Sequence, residues 1–271
     1  MKLNILSPKK KTRIKDNSIF LPFLLILLLH SPFVFAMNMS RNEAIAKSMA
    51  TCNYPAKDSV PIDNNINLAL KASAYASMKL QQMGLPLQTF NYAMGGFNYL
   101  VQQGKLANVD IISIVDFSLP SSEKRFFVID LKKNKVLYCT YVAHAVNSGK
   151  QYANLFSNKP QSNKSSLGFY ITQKTYQGGH GYSLRLEGLE KGINDNANRR
   201  DIVIHGADYV NEALIKTQGY IGRSLGCPAL PVRLHKSIIN KIKNGTCLFI
   251  YNPDKAYLER SSILNVAGTT Q

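Results

Sequence analysis

The sequence predicts a mainly β fold, a sandwich or a partly closed barrel, preceded by a small helical region. After residue 106, short apolar runs rich in β-branched and aromatic residues alternate with turn-rich insertions. Before that point, apolar residues recur at helical spacing. With 271 residues, 45% of them hydrophobic and 18% charged, the chain can build one sizeable core and a small second unit.

The first 36 residues have the pattern of a secretory signal peptide. A basic stretch at residues 9–15 precedes an apolar run at residues 19–29, and the small to moderate side chains of Val34 and Ala36 precede a cleavage point. The run is shorter than the roughly 20 residues that a spanning helix needs, and no cysteine follows directly for lipid attachment. We expect cleavage near Ala36 and an exported protein of the periplasm or cell envelope, with an uncleaved membrane anchor as the alternative.

Residues 37–106 form the predicted helical region. Apolar side chains fall on or near one face of residues 67–82, and a second helix is expected over residues 88–103, although Gly95 and Gly96 weaken it. We expect this pair of helices to pack against the domain that follows or to cover a groove in it. The sequence predicts no specific activity for it.

The next region, residues 107–252, carries the β pattern. A hairpin turn is expected at Lys133 and Asn134, and one helix interrupts the strands at residues 232–243, where apolar residues return to helical spacing. Residues 253–271 are expected to form a C-terminal tail. The predicted strands cover residues 109–117, 125–130, 135–144, 168–173, 182–187, 201–204 and 246–251.

The chain is strongly basic, with a formal net charge of +17. Removal of the signal peptide takes away six basic residues and one acidic residue, which leaves +12. We find no aromatic and basic module that would stack bases, and export argues against nucleic acid as a partner. A basic exported protein is expected to gather on an anionic envelope polymer by long-range attraction, or else to have a merely solvated basic face.

A histidine and a cysteine with the features of a catalytic pair lie between residues 201 and 231. A β-branched run at residues 202–204 leads to His205, and 22 positions later Cys227 lies between two turn residues. A thiol is a useful nucleophile as thiolate, and an imidazole within hydrogen-bond reach can take its proton near neutral pH. Backbone N–H groups at a glycine-containing turn can hold an oxyanion.

The competing interpretation of this pair is coincidence, because cysteine is among the most buried residue types. Gly226 and Pro228 would be unusual neighbours for a core-filling cysteine in a strand, and they favour a turn around Cys227. From these residues both interpretations stay open, and the turn adds weight to the catalytic one.

The run His-Gly-Ala-Asp-Tyr-Val, followed by Gly-Arg-Ser-Leu-Gly-Cys-Pro-Ala, resembles the YkuD-type murein L,D-transpeptidase catalytic domain family. It is most similar to a variant branch with Ser-x-Gly-Cys-Pro in place of Ser-His-Gly-Cys. The resemblance extends over residues 109–252 and implies an L,D-transpeptidase-like fold with His205 as the base and Cys227 as the nucleophile. Leu225 stands where the main family has its second histidine, and Pro228 replaces a hydrophobic residue that has an N–H.

The resemblance also implies supporting and substrate-binding residues. For His144 and His180, a local structural hydrogen bond is the alternative to substrate contact. Asp208 is expected to cap the following helix, with substrate binding as the alternative, and His235 is expected at the surface. Arg223 offers a two-pronged donor that suits a carboxylate. The implied oxyanion and support residues are Gly226, Ser224 and Gly206, and the implied substrate-binding residues are Arg223, His144, His180 and Asp208.

The activity that the resemblance implies is acyl transfer on peptidoglycan stem peptides through a thioester on Cys227, for cell-wall cross-linking or remodelling. The alternatives are an L,D-carboxypeptidase or amidase that hydrolyses the same peptides, and a non-catalytic peptidoglycan-binding envelope protein. No cofactor is expected. A zinc site built from the histidines and Cys227 is disfavoured, because the sequence has no close-spaced pair of metal ligands. Membrane contact is expected only through an uncleaved signal segment, and the sequence predicts neither the acceptor amine nor the oligomeric state.

The remaining cysteines are Cys52, Cys139 and Cys247. Export permits disulfides, and four cysteines allow three complete pairings. Since full pairing would consume the Cys227 thiol, a catalytic Cys227 allows at most one bridge among the other three.

Overall fold

The computed structural model of the protein describes residues 64–269. The predicted signal peptide and Cys52 lie outside this range. Within it, none of the helices is long and apolar enough to cross a membrane.

The described residues form eight strands, six helices and a short 3-10 turn at Val146–Ser148. The helices are α1 (Asn64–Ser77), α2 (Leu87–Gln102), α3 (Glu212–Gln218), α4 (Val232–Ile242), α5 (Lys255–Arg260) and α6 (Ser262–Thr269). The strands are β1 (Ile111–Asp116), β2 (Phe126–Asp130), β3 (Lys135–Thr140), β4 (Gly168–Gly178), β5 (Gly181–Gly188), β6 (Val203–Ala207), β7 (Ala229–Pro231) and β8 (Cys247–Tyr251).

All eight strands belong to one sheet, in the order β3-β2-β1-β8-β4-β5-β6-β7. The β1–β8 and β6–β7 pairs are parallel, and the other neighbours are antiparallel. Just after β3, the Ala143 N–H donates to the Ala229 carbonyl of β7 at 2.9 Å, so the two edges of the sheet meet. The predicted mainly β fold is therefore confirmed, in its form as a nearly closed barrel.

The strands that carry the candidate site differ from the prediction. Strand β6 continues through His205 to Ala207, where the sequence pattern ended at residue 204. The three-residue strand β7 was not predicted, because it is short and contains Pro231. These two segments pair with each other in parallel, with His205 opposite Ala229. Such pairing between distant segments leaves no local periodicity in the sequence.

Helix α2 runs without a break through Gly95 and Gly96. A Cβ atom on Gly96 would lie 2.0 Å from Cζ of Phe169, so only glycine allows the helix to approach β4 this closely. The Phe169 ring in turn stacks on Phe249 of β8, with ring centroids 4.2 Å apart. The glycine that weakens the helix locally therefore permits packing of the helix on the sheet, and the two share one hydrophobic core.

The segment predicted as a C-terminal tail forms helices α5 and α6, and their residues Tyr257, Ile263 and Leu264 are buried in the same core. The carboxylate of Glu190, only 1% exposed, accepts hydrogen bonds from the Phe169 N–H at 2.7 Å and from the hydroxyls of Tyr257 and Ser261. Burial raises the pKa of this carboxyl above its usual value. Glu190 thus joins the two helices to the start of β4.

Helix α4 lies close to the predicted range and follows β7 directly. Its buried side chains are His235, Ile238, Ile239 and Ile242, at the spacing of one helix face. Asn244 and Gly245, both with positive φ, end the helix. This helix packs against β6, which places it behind the residues of the candidate site.

Candidate active site

The turn before β7 is held by the side chain of Ser224, which is 5% exposed. The Ser224 hydroxyl donates to the Cys227 carbonyl at 2.6 Å and accepts from the Gly226 N–H at 3.1 Å. Gly226 has a φ of +148°, a conformation that favours glycine. The support role predicted for Ser224 fits this geometry. The oxyanion role predicted for the Gly226 N–H does not, because that donor is already bound to Ser224.

The Cys227 thiol is free of any disulfide and half-buried. Its Sγ accepts from the Val203 N–H at 3.4 Å and lies 3.5 Å from the Asp201 carbonyl, to which the S–H can donate. Burial raises the pKa of this thiol, while the Val203 N–H and the Arg200 guanidinium act to lower it. The balance is an upward shift, so the resting sulfur is a neutral thiol.

His205 lies in β6 and is 2% exposed. Its Nδ1 is 3.0 Å from the carbonyl oxygen of Gly206. Because a carbonyl only accepts, Nδ1 carries the proton and Nε2 keeps its lone pair. Burial lowers the pKa of His205, an effect that the Gly206 carbonyl opposes and the rings of His180 and His235 reinforce. The imidazole is thus neutral and oriented by a backbone carbonyl, as a general base requires.

The sulfur and the imidazole lie on neighbouring segments and have separate hydrogen-bond partners. Since His205 pairs with Ala229 in the parallel register, Cys227 lies beside Val203 and diagonally from His205. No hydrogen bond between described residues joins Sγ to the imidazole. The hydrogen bond predicted between them is not formed in this structure, and such contacts often tighten only when substrate binds.

Two further histidines flank this pair. His180, exposed at the tip of the β4–β5 hairpin, stacks its ring on His205 with centroids 4.3 Å apart and planes 18° apart. His235 of α4 is 6% exposed, so its predicted surface position is wrong. A Cβ atom on Gly206 would lie 2.6 Å from Cγ of His235, so the glycine makes room for this ring. The apolar face of α4, of which His235 is part, explains why the ring is buried.

His144 is fully buried, and its hydrogen bonds are internal. Its Nδ1 accepts from Nη2 of Arg125 at 2.7 Å, and its Nε2–H donates to the Gly149 carbonyl at 3.2 Å. Burial and the Arg125 cation lower the pKa of His144 to about 3. The substrate contact predicted for His144 is therefore replaced by its alternative, a structural hydrogen bond. The same Gly149 carbonyl accepts from Nη1 of Arg223 at 3.1 Å, so His144 supports Arg223 indirectly.

Asp208 does not cap the following helix, as the sequence had suggested. The cap of α3 is Asn211, whose side-chain oxygen accepts from the Leu214 N–H at 3.0 Å. Asp208 is exposed and lines a cavity of about 560 Å³ together with His180, Tyr209 and His235. This volume falls in the range of ligand sites, roughly 300–1,000 Å³. The cavity leaves substrate binding by Asp208 as the remaining prediction.

Two residues near the sulfur were missed by sequence reasoning. Burial and the charge of Cys227 raise the pKa of Tyr209 to about 12, and its backbone carbonyl accepts from the Gly222 N–H at 2.7 Å. The position of Tyr209, soon after His205, was the available signal. Arg200 acts on the sulfur as a nearby cation. No feature of the sequence indicates this role, because an arginine before a strand is usually solvated.

No group of three or more His, Cys, Asp or Glu side chains in the described part of the chain is arranged to hold a metal ion. Cys139 and Cys247 are also free thiols, and Cys247 is fully buried in the core.

The family model described as the L,D-transpeptidase catalytic domain, YkuD_2, matches residues 81–251. The chain belongs to this family. The match includes the turn at Cys227, strand β6 and helix α2. Among curated proteins, none matches the chain.

Solved structures are also similar to this family member. A variant of the helical cell shape determining protein Pgp2 from Campylobacter jejuni has 14% identity and a TM-score of 0.37, over 66% of this chain and 61% of that one. An L,D-transpeptidase variant from Enterococcus faecium has 16% identity and a TM-score of 0.32, over 52% and 50%. One from Mycobacterium smegmatis has 13% identity and a TM-score of 0.32, over 53% and 59%. The chain covers less than two thirds of the length of these structures.

Proposed function

We propose that the protein is an L,D-transpeptidase that uses Cys227 as its nucleophile on peptidoglycan stem peptides. The observation that carries this proposal is the placing of an unbridged, half-buried thiol, in a turn held by Ser224, diagonally from a neutral and oriented imidazole. Membership of the L,D-transpeptidase family supplies the reaction class.

The reaction begins when Nε2 of His205 takes the proton of the Cys227 thiol. The thiolate then attacks the carbonyl of the L-centre before a terminal D-residue, and a C–S bond forms. As the C–N bond breaks, the imidazolium returns the proton to the leaving amine, and the D-residue is released. An acceptor amine from a second stem peptide then attacks the thioester, which forms a new amide and restores the thiol.

The oxyanion that develops during attack needs hydrogen-bond donors. The Cys227 N–H has no partner among the described residues, whereas the Gly226 N–H is bound to Ser224. We assign the Cys227 N–H as the available backbone donor. A well-placed donor of this kind contributes on the order of 3 kcal/mol to transition-state stability.

The substrate groove is assigned to the surface around His180, Asp208 and Arg223. Nη1 of Arg223 is held by the Gly149 and Val146 carbonyls, which leaves Nη2 and Nε to bind a carboxylate. Leu225, 71% exposed, adds an apolar contact beside the nucleophile. We propose the periplasm or cell envelope as the place of action, on the basis of the predicted signal peptide and of a family whose reaction is on the cell wall.

The direct test is an intact-protein mass spectrum of the full chain after treatment with a carbapenem. We expect one covalent adduct, retained in Cys139→Ala and lost in Cys227→Ala. Incubation with isolated muropeptides should then give cross-linked dimers. Adduct formation on Cys139, or no dimers from a folded protein that forms the Cys227 adduct, would contradict the proposed transpeptidase.

Hydrolysis is the second candidate. Cys227 is only half-buried, and this partial exposure favours attack by water on a thioester at its sulfur. A protein that only trims monomers would be an L,D-carboxypeptidase.

The absence of a hydrogen bond between the sulfur and the imidazole favours the third candidate, a non-catalytic binder of peptidoglycan. That candidate predicts that Cys227→Ala keeps both sacculus binding and biological activity.

A further inference from the structure

The Cys227 sulfur needs a source of stabilisation for its anionic form. Burial raises the pKa of the thiol, and the adjacent Asp201 acts in the same direction. The neutral imidazole of His205 supplies no positive charge before it accepts a proton. If Cys227 is the nucleophile, as the proposed function requires, another group must favour the thiolate.

Arg200 immediately precedes the segment that holds the sulfur. The Asp201 carbonyl and the Val203 N–H, which contact Sγ at 3.5 and 3.4 Å, are one and three residues after it. The Arg200 guanidinium is half-buried. If a Cβ atom were present on Gly226, next to Cys227, it would lie 3.6 Å from Nη2 of Arg200. The cation therefore lies directly behind the cysteine turn.

Four hydrogen bonds fix the guanidinium in this position, and all four go to neutral acceptors. Nη1 donates to the Ser157 carbonyl at 2.7 Å and to the Ser166 hydroxyl at 3.2 Å. Nη2 donates to the Lys164 carbonyl at 2.6 Å and to the Ser162 hydroxyl at 3.3 Å. No carboxylate among the described residues accepts from Arg200, so its charge is not neutralised within the site. An unpaired, half-buried cation is costly, and such groups concentrate at functional sites.

We propose that Arg200 is the fixed cation that stabilises the thiolate of Cys227 and positions the segment on which the sulfur rests. The electrostatic coupling is reciprocal: burial raises the pKa of the thiol and the cation opposes that shift, while burial lowers the pKa of the guanidinium and the thiolate opposes that one. Because Arg200 stays charged at every working pH, this stabilisation does not depend on the protonation of any histidine.

Other titratable groups face the same sulfur. The Asp201 carboxylate opposes the thiolate, and the Tyr209 hydroxyl on the loop after β6 responds to its charge. The imidazoles of His180 and His235 act on that of His205, and none of these three rings is among the groups that shift the pKa of the thiol. Arg200 is thus the side-chain cation that acts on it.

The test is the pH dependence of alkylation of the full chain by iodoacetamide, followed peptide by peptide with mass spectrometry. Arg200→Gln removes the charge, Arg200→Lys keeps it with fewer hydrogen bonds, and Arg199→Gln removes an equal charge from an exposed neighbour. The peptide with Cys139 serves as an internal reference in every sample. Thermal unfolding identifies variants that are not folded, and Arg200→Met is the second neutral variant.

We expect Arg200→Gln to raise the midpoint of Cys227 alkylation by about one pH unit, which is about tenfold less thiolate below both midpoints. Arg200→Lys should stay near the wild type, and neither Arg199→Gln nor the Cys139 profile should move. An unchanged midpoint in a folded neutral variant, or an equal shift in Arg200→Lys, would overturn the inference. Alkylation needs no substrate, so a thiol that titrates as expected but never forms a carbapenem adduct or a muropeptide dimer refutes the proposed function alone.

Discussion

The substitution Gly206→Ala tests how closely strand β6 and helix α4 pack together. The new Cβ would lie 2.6 Å from both Cγ and Nδ1 of His235, closer than such atoms can approach. The ring cannot simply swing away, because its Nδ1–H donates to the Val232 carbonyl at 2.7 Å and the side chain is 6% exposed. Gly206 does not have a positive φ, so the backbone itself would accept alanine. The expected penalty therefore comes from the His235 ring alone.

The magnitude follows from two opposing effects. Forcing an extra methyl group into a packed interior costs about 1–3 kcal/mol. Replacing glycine by alanine at a compatible backbone position stabilises by about 0.4–1 kcal/mol through the unfolded state. We expect Gly206→Ala to destabilise by roughly 1–2 kcal/mol, or by about 2–8 °C in melting temperature at about 2–4 °C per kcal/mol. Carbapenem acylation should also slow, since the Gly206 carbonyl orients His205.

The assay is a double-mutant cycle on urea unfolding with Gly206→Ala, His235→Ala and the double variant. Once the ring is removed, Gly206→Ala should be neutral or stabilising, so the coupling energy should exceed about 1 kcal/mol, as is usual for residues in contact. If the cost of Gly206→Ala is the same with and without the His235 ring, the two positions are independent and the steric reasoning fails.

Three further predictions follow from single contacts. Ser224→Ala should lower the free energy of unfolding in urea by about 1–3 kcal/mol, because the Gly226 N–H loses its acceptor. The exposed control Ser237→Ala should change it by less than about 0.5 kcal/mol. Equal effects of the two substitutions would show that the Ser224 hydroxyl does not stabilise the turn. His180→Ala should raise the pKa of His205 toward its ordinary value, since the ring that covers and repels it is gone, and an NMR titration of His205 would show no shift if the stacking were unimportant. The raised pKa of Glu190 in the folded protein contributes stability that is present below the ordinary carboxyl pKa and is lost as pH rises through the folded pKa. Glu190→Gln should therefore become more stable relative to the wild type as pH rises from 4.5 to 7.5. A stability difference that does not change with pH would contradict this.

The elements with local periodicity were predictable from the sequence. Helix α4 ends within one residue of its predicted limit, because one apolar face and the Asn244–Gly245 pair define it locally. The continuation of β6 through His205 and the short strand β7 were not predictable, since they are specified by pairing between segments more than 20 residues apart. The sequence also identified Cys227, His205 and the turn around them as the candidate site, through turn chemistry and family resemblance.

Two of the three residues that the sequence misplaced share one physical cause. Asn211 caps the helix that Asp208 was predicted to cap. The cap is local: α3 begins at Glu212, so the residue directly before it, Asn211, is the cap. His144 is buried where substrate contact was predicted, and His235 is buried where an exposed position was predicted. The burial of His144 and His235 depends on which distant elements pack against them, and no local pattern encodes that. Gly96 shows the same effect from the opposite direction, because a residue that weakens its own helix is required by the Phe169 ring across the interface.

The arrangement of imidazoles around β6 bears on how the base works. Rings from two distant elements, His180 and His235, lie beside His205. Neighbouring imidazoles disfavour one another's protonation, so together with burial they lower the pKa of His205. A base with a lowered pKa stays unprotonated at pH values where an exposed histidine would already be charged. The positive charge near the sulfur must then come from a group that does not titrate, and the guanidinium behind the turn meets that requirement.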